Sequence, residues 1–261
     1  MQEVSDAEVD HKGRLTASSK ARSAMARVVE QQAAIAQIGQ AALGSASLED
    51  LFGEACALVG RVLEAELVSV LELAADGGTL KVIAGNGWRP GIVGELVIGA
   101  ANDSQSGYTI ASGGPVIVAD LATEERFKIP PSLPEHGAVS GMSVRIGDAE
   151  RPYGVLAAFT ERRGSYSRDD ANFLQAVANV LATAIHRQSA EAELRASRDQ
   201  LAAIVSTIDE GITVIDRKGL IFANDAAAVL TGYASAESCS MRQGRSWPGS
   251  ICLTPMAGQC P

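Results

Sequence analysis

The chain has 261 residues, of which 46% are hydrophobic, so it is long enough for one large domain or two small ones. Its formal net charge is −9, and this argues against nucleic acid or an anionic membrane as the main partner, because both are bound through basic surfaces. No apolar run approaches the roughly 20 residues that a membrane-spanning helix needs. The N-terminus is polar and acidic, unlike a secretory signal. We therefore expect a cytoplasmic location.

The four cysteines do not form a disulfide framework in a chain of this length. Cys56 lies in the apolar stripe of a predicted helix, which indicates a buried and unreactive thiol. Cys239, Cys252 and Cys260 lie close to the C-terminus, and their spacing matches no zinc-binding pattern. The sequence therefore predicts no metal site.

The N-terminal part of the chain predicts two helices. The first extends from Ser18 to Leu43. Ser47 then caps a second helix, with Asp50 at its third helical position. Apolar residues recur in this second helix every three or four positions, which indicates a buried face.

Two hairpins and two single strands follow, and together they predict the fold class. Asp76-Gly77 joins two apolar runs, and Asp148 lies between two more. The predicted strands are 67–74, 79–87, 95–99, 115–121, 139–147 and 152–161, with a short helix at 104–114 and a loop at 122–137 that contains three prolines. The prediction is an α+β domain, with an antiparallel central sheet of about six strands and flanking N- and C-terminal helices.

A long helix is predicted from Ser167 to Ile208, because this segment contains no proline or glycine. Ser167 caps its N-terminus, and the acidic residues of the first turn suit the helix dipole. A wide apolar stripe in the first half narrows to Leu194, Leu201 and Ile208, a spacing of seven that is typical of a coiled coil. We interpret residues 189–208 as a signalling helix between domains; the alternative is a long surface helix of one domain.

Four motifs in this region resemble those of the GAF domains of bacterial signalling proteins. They are VIVADL, HGAVSGMSVRIG, PYGVLAAFTER and YSRDDANFLQAVANVLATAI, and they occur in that order. The resemblance implies the α+β fold predicted above, and it covers about two thirds of the chain.

The segment after the long helix resembles the first third of a PAS domain. The family pattern of a strand, an Asp and a Gly, a second strand and an Asn at a helix start falls on Asp216, Gly219 and Asn224. The similarity ends near Ser238, so we expect an incomplete PAS-like segment and a tail that is a truncated or frame-shifted end of a longer receptor. The predicted domains are a disordered N-terminus 1–17, a GAF-like sensor 18–188, a linker 189–208, a partial PAS-like domain 209–238 and an irregular tail 239–261.

The chain carries no recognisable catalytic motif. It has no glycine-rich phosphate loop, no HExxH and no Ser-His-Asp signature, and its three histidines are far apart in sequence. The sequence therefore predicts a protein that is not an enzyme.

The GAF resemblance implies a cavity between the sheet and the connections around its third and fourth strands. By position, five residues are candidates to line it: Trp88, Tyr108, Phe127, His136 and Ser143. Aromatic groups with a few polar ones suit a ligand pocket. The alternative is that the three aromatic residues fill the core of a domain that binds nothing.

The cofactor is left unknown by the sequence. The Asn-Lys…Phe…Asp-Glu set of cyclic-nucleotide-binding members is absent, and no cysteine lies where bilin-binding or methionine-sulfoxide-reducing members need one. Haem-binding members use a histidine just before the strand that begins here at Val139, and His136 lies near that place. A haem-binding redox or gas sensor therefore stays open as a further alternative.

The resemblance implies a cytoplasmic regulatory module of a bacterial signal-transduction protein, such as a two-component system. Its GAF domain would bind an unknown small molecule or mediate dimerisation, and it would pass a conformational signal through the helical linker. We expect a homodimer through the Ser18–Leu43 and Ser167–Ile208 helices, with no nucleic acid and no membrane as partner. The alternative is a dimerisation scaffold without a ligand.

Overall fold

A computed structural model describes Arg22 and residues 25–44, 47–216 and 219–232. The chain divides into two compact units, Met1–Ser189 and Ala190–Pro261. The helices of the first unit are α1 (25–44), α2 (Leu48–Leu63), α3 (Gln105–Ser112), α4 (Ser132–Glu135) and the first half of α5 (Arg168–Ser206). Its strands are β1 (Leu67–Leu73), β2 (Thr79–Asn86), β3 (Val97–Gly99), β4 (Val116–Val118), β5 (Ser140–Gly147) and β6 (Pro152–Thr160). The second unit contains the end of α5, the strands β7 (Thr213–Asp216) and β8 (Gly219–Ala223), and helix α6 (Asp225–Leu230).

The first unit is built on one six-stranded sheet with the order β3-β2-β1-β6-β5-β4. Every neighbouring pair of strands is antiparallel. The two predicted hairpins are β1–β2 and β5–β6, and they join through β1 and β6 at the centre of the sheet, where Val70 lies opposite Leu156. The predicted antiparallel sheet of about six strands with flanking helices is confirmed.

The two faces of this sheet pack against different elements. Alternate residues of a strand point to opposite faces, so the apolar residues of β1 and β6 divide into two sets. Val68, Val70, Leu156 and Ala158 pack with the buried residues of α1, α2 and α5. Leu67, Leu71, Val155, Ala157 and Phe159 belong to a second apolar cluster, which includes residues of β2, β4 and α4.

The helix starts follow the predicted capping chemistry. The backbone N–H of Asp50 donates to the Ser47 hydroxyl at 3.1 Å, and the N–H of Asp170 donates to the Ser167 hydroxyl at 3.3 Å. Asp170 accepts in return from the backbone N–H of Ser167 at 2.9 Å, which completes a reciprocal cap of the kind known for Ser and Glu. Both predicted N-caps are confirmed.

Asp170 also connects the first and last helices of the first unit. Its buried carboxylate accepts from the Arg27 guanidinium at 2.7 Å and from the Gln31 amide at 3.0 Å. Both partners belong to α1, so a single buried acceptor at the start of α5 holds one end of α1. At the other end, the Arg187 guanidinium donates to the Ala42 carbonyl at 2.7 Å.

Helix α5 is buried in its first half and exposed in its second. Leu174, Val177 and Leu181 are inaccessible to solvent, whereas Leu194 is 72% exposed and Leu201 is 60% exposed. The helix ends at Ser206, two residues before the predicted Ile208.

In the second unit, Asn224 joins the end of α5 to the β7–β8 hairpin. Its side-chain oxygen caps α6 by accepting from the N–H of Ala227 at 2.9 Å, and it also accepts from the N–H of Ile212 at 2.8 Å. Its amide group donates to the Glu210 carbonyl at 2.8 Å. The prediction of an Asn at a helix start after a hairpin is confirmed. The predicted disordered N-terminus and the tail at 239–261 lie outside the described residues.

The segment 122–137, predicted as an irregular loop, differs in secondary structure from the prediction. It contains part of a 3-10 turn at Leu121–Thr123 and the short helix α4. The prediction of a loop without secondary structure was wrong, because the prolines around α4 end helical structure without excluding a single turn of helix.

Cys56 is fully buried as predicted, and burial raises the pKa of its thiol to about 12.

Membrane insertion has no candidate segment among the described residues. None of the helices seen in residues 25–44, 47–216 and 219–232 combines the length and the apolar character needed to cross a bilayer.

Candidate functional site

A cavity of about 410 Å³ lies on the face of the sheet opposite the long helices. Its floor is formed by three strands of the first unit, through Ser69 and Leu71 of β1, Val82 of β2, and Ala157 and Phe159 of β6. These positions alternate along β1 and β6 with residues of the helix-packed core. The volume lies within the range of natural small-molecule sites, which is about 300–1,000 Å³.

The remaining walls of the cavity come from connections between strands. The segment between β2 and β3 contributes Trp88 and Leu96, β3 contributes Ile98, and the first turn of α3 contributes Gln105. The segment that leads into α4 contributes apolar residues such as Ile129 and Pro130, and α4 itself contributes Leu133. The cavity is therefore largely apolar, with its polar groups concentrated at the first turn of α3.

A chain of hydrogen bonds joins this first turn to the sheet. The Gln105 side-chain amide donates to the Ser143 hydroxyl at 3.2 Å, and this hydroxyl lies 2.7 Å from that of Thr109. The Thr109 hydroxyl in turn donates to the backbone carbonyl of Gln105 at 2.8 Å. All three side chains are buried. The network fixes α3 against β5 at the edge of the cavity.

The charged residues among those that line the cavity are Asp103 and Lys128. Their side chains form an ion pair at 3.0 Å, and both are largely exposed to solvent. The backbone N–H of Lys128 also donates to the Asp103 carbonyl at 2.7 Å. The two charges compensate each other at the rim and leave the interior of the cavity uncharged.

Trp88 is the sequence-predicted residue that lines the cavity. Its indole N–H donates to the Val68 carbonyl at 2.8 Å, which fixes the ring over the edge of β1. The ring meets Phe159 edge-on, with 6.5 Å between centroids. Trp88 therefore closes one end of the cavity as a fixed aromatic wall.

His136 lies behind Trp88 and outside the set of cavity-lining residues. Its ring packs edge-on against Trp88 at 5.1 Å. Its Nδ1 atom lies 2.7 Å from the Ser132 carbonyl, and its Nε2 atom accepts from the backbone N–H of Arg89 at 3.3 Å. Both ring nitrogens are thus engaged within the protein, and coordination of a haem iron would require one of these bonds to break.

Tyr108 and Phe127 pack against each other beside the cavity, with 5.3 Å between ring centroids. The Arg126 guanidinium lies over both rings, at 5.8 Å and 5.4 Å from their centroids. A hydrogen bond from Arg126 lowers the pKa of Glu124, so the carboxylate partner of this cation stays charged. Phe127 belongs to the apolar cluster on the cavity side of the sheet, and Tyr108 packs against this cluster.

The structure brings the five predicted residues to the same side of the sheet, although only Trp88 lines the cavity. Ser143 lies one hydrogen bond behind the wall, through Gln105. Sequence reasoning missed Gln105 and Ser69. For Ser69 the available signal was a polar residue at an inward-facing position, since it interrupts the apolar run LVSVLEL.

A metal ion has no evident ligand set in the described part of the chain. No group of three or more His, Cys, Asp or Glu side chains gathers there in a suitable arrangement.

An antiparallel sheet with helices on one face and a cavity on the other makes the first unit an α+β domain. A family model described as GAF domain matches residues 47–185, more than half of the chain, and one described as PAS domain matches residues 199–257. The chain belongs to the GAF domain family. GAF and PAS domains are sensory domains that generally bind ligands or mediate signalling and dimerisation. The PAS match extends beyond residue 238, where we expected the resemblance to end, into residues outside the described range.

Solved structures of other GAF domains share this fold. The GAF domain of a phosphoenolpyruvate-protein phosphotransferase from Acinetobacter is 19% identical with a TM-score of 0.54, and the match covers 62% of this chain and 97% of that one. The corresponding domain from Coxiella burnetii is 19% identical with a TM-score of 0.56, covering 63% and 98%.

A free methionine-R-sulfoxide reductase from Neisseria meningitidis, solved with its substrate, is 19% identical with a TM-score of 0.53, covering 61% of this chain and 91% of that one. At these identities the likeness shows the fold alone. No curated protein matches the chain.

Proposed function

We propose that this chain is a cytoplasmic regulatory module of a bacterial signal-transduction protein, whose GAF domain binds a small molecule and has no catalytic activity of its own. The observation that carries the proposal is the cavity of about 410 Å³, which has apolar walls and a few polar groups at one end. This combination is typical of sites for small organic ligands.

The coupling of a ligand to the helices follows from the alternation of side chains in the central strands. Ser69 and Ala157 face the cavity, whereas Val68, Val70, Leu156 and Ala158 face the helices. A close-packed core transmits small displacements, because it contains little free volume to absorb them. A ligand that binds two arrangements of the sheet with different affinity would therefore bias the position of α5.

Two exposed apolar surfaces support a homodimer. On α1, Met25 and Val29 are more than half exposed, and on the second half of α5 the exposed apolar residues are Leu194, Leu201 and Ile204. The heptad spacing of Leu194 and Leu201 suits the pairing of two α5 helices. These same surfaces also favour the rival function, a dimerisation scaffold that binds no ligand.

Native mass spectrometry of the purified chain, compared with its denatured mass, distinguishes the two functions. We expect a dimer that retains a defined additional mass, since clefts of this size typically bury most of the surface of a small ligand. A dimer without additional mass, which also binds none of a library of small organic fragments, would favour the scaffold and contradict the sensor.

Replacing Leu201 with aspartate tests the α5 part of the dimer. We expect the dimer dissociation constant to rise by at least about tenfold, because a charge at a coiled-coil core position loses its hydration on association. Light scattering over a range of protein concentrations measures the change.

The matched control is Ala202→Asp, which adds the same charge to the adjacent exposed residue of the helix. This variant is expected to dimerise like the unmodified chain. Equal dimer constants for both variants would show that the seam at Leu194 and Leu201 makes no contribution to association.

A further inference from the structure

A row of small residues crosses the sheet beneath the cavity. The strand registers place Gly85 of β2 opposite Ser69 of β1, Ser69 opposite Ala157 of β6, and Ala157 opposite Ser143 of β5. Residues directly opposite each other in a sheet share one face, so all four belong to the cavity side. Because none of them has a long side chain, the sheet surface is low along this row.

The two ends of the row are covered, and its middle is open. A Cβ atom on Gly85 would lie 2.7 Å from the Trp88 ring, so this ring rests on the glycine. At the other end, the Ser143 hydroxyl is occupied by its hydrogen bonds to side chains of α3. Ser69 and Ala157 lie between these ends and line the cavity.

Ser69 places a hydroxyl without a partner in this open middle. The residue is 2% exposed, and Leu67 and Leu71, its neighbours on the same face of β1, are apolar. Its hydroxyl forms no hydrogen bond with any residue that the structure describes, and unlike the sealed amide oxygen of Gln105 it is open to the cavity. A hydroxyl that leaves water for apolar surroundings is unfavourable until it meets a partner.

We propose that Ser69 is the hydrogen-bonding anchor of the cavity, and that the ligand is an uncharged, largely apolar molecule whose hydroxyl or carbonyl group meets the Ser69 hydroxyl. This inference rests on the proposed sensor function and specifies its ligand class. A serine hydroxyl both donates and accepts, so either group satisfies it. The apolar remainder of the molecule lies against Leu71, Trp88 and Phe159.

The charges around the cavity argue for an uncharged ligand. Asp103 and Lys128 are the charged residues among those that line it, and they neutralise each other at 3.0 Å in an exposed position. A charged group beside Ser69 would lose its hydration without a side-chain counter-charge.

Ser106 carries the competing hydroxyl of the cavity. It lines the cavity from the first turn of α3, is 7% exposed, and its side chain also has no hydrogen bond among the described residues. The N-terminus of a helix favours an anion, so a carboxylate held at Ser106 is the alternative ligand class. Ser69 is the more deeply buried of the two and lies among apolar residues of the floor, which favours the uncharged class.

Two probes that differ in a single group test the anchor. 2-Naphthol carries a hydroxyl where 2-methylnaphthalene carries a methyl group, and ligand-observed NMR titration measures the affinity of the full chain for each. The ratio of the two affinities is compared between the unmodified chain and Ser69→Ala, because this comparison cancels the difference in hydrophobicity between the probes. We expect the ratio to shift about three- to tenfold in favour of 2-methylnaphthalene in Ser69→Ala, since the variant loses one hydrogen bond.

A second pair of probes tests the charge of the ligand. 2-Naphthamide and 2-naphthoate have the same shape, but only the second is an anion at neutral pH. We expect the amide to bind about tenfold or more tightly, because the carboxylate loses the hydration of its charge. Tighter binding of 2-naphthoate, reduced in Ser106→Ala, would establish the carboxylate class and overturn the proposal.

The stability of the chain without a probe provides an independent readout. Ser69→Ala is expected to lower the urea midpoint of unfolding less than Ser143→Ala does, because the Ser143 hydroxyl has two hydrogen-bond partners. Both serines lie in interior strands of the sheet, so the change in strand propensity is matched. An equal or larger loss in Ser69→Ala would show that its hydroxyl is bonded within the protein and would contradict its role as an anchor.

The outcomes separate this inference from the function on which it rests. An unchanged ratio of 2-naphthol to 2-methylnaphthalene in Ser69→Ala would overturn the role of Ser69 while leaving a small-molecule site in place. No binding of any of the four probes would overturn the ligand class. The sensor function would fail with it only if native mass spectrometry also found no retained mass.

Discussion

Replacing Leu174 with alanine is expected to lower the free energy of unfolding of the first unit by about 2–5 kcal/mol. Leu174 is inaccessible to solvent and belongs to the apolar cluster between α1, α2, α5 and the sheet. Its truncation removes buried methyl groups and leaves a cavity that the surrounding helices cannot fill without moving. Urea denaturation measures the change, with Trp88 as the sole tryptophan reporter in a Trp247→Phe background.

The matched control for this prediction is Leu194→Ala on the same helix. Leu194 is 72% exposed in the single chain, so at protein concentrations low enough to keep the chain monomeric its truncation removes little buried area, and we expect a change within about 0.5 kcal/mol. A loss above about 2 kcal/mol in the control would mean that Leu194 is buried in solution, which the proposed dimer would explain. The loss would then depend on protein concentration.

Replacing Ala157 with leucine is expected to lower the affinity for those small organic fragments that bind the unmodified chain by at least about tenfold, with a change in unfolding free energy within about 1 kcal/mol. Ala157 lines the floor of the cavity, so the larger side chain enters existing space and competes with the ligand for it. Calorimetry measures the affinity, and denaturation measures the stability.

The adjacent position provides a control with the opposite expectation. Ala158 is fully buried and faces the helix-packed core. Ala158→Leu is expected to destabilise the first unit by about 1–3 kcal/mol through overpacking, and to leave probe binding close to that of the unmodified chain where the protein remains folded.

The comparison of Ala157 with Ala158 examines the two-faced sheet directly. Loss of binding in both variants, without loss of stability in either, would contradict the assignment of these residues to opposite faces. Loss of binding in the first and loss of stability in the second would support the proposed route from the cavity through β6 to the helices.

The local structure of the chain could be predicted well from its sequence. The caps at Ser47 and Ser167 depend on a hydroxyl and an N–H three residues apart, so the sequence contains all the interacting groups. The hairpins depend on turns such as Asp76-Gly77, which are also local. The single turn of α4 was missed because its short sequence, rich in proline, carries no helical periodicity.

The arrangement of the candidate site could be predicted only in part. Of the five residues predicted from the resemblance to GAF domains, Trp88 lines the cavity and Ser143 lies one hydrogen bond behind its wall. Gln105 was not predicted, because its importance comes from Thr109 one turn later and from Ser143, 38 residues later in the chain. This network of three residues joins segments that are distant in sequence, so no local pattern predicts it.

The sequence by itself therefore determined the helices, the strands, their caps and turns, and the membership of a family, because these depend on neighbouring residues and on short motifs. Only the tertiary structure decided which inward-facing residues enclose a cavity and which fill the core. That division depends on β1 and β6 pairing at the centre of the sheet, across more than 80 residues of sequence. Ala157 and Ala158 are identical in sequence terms, and the pleat of β6 alone gives them different roles.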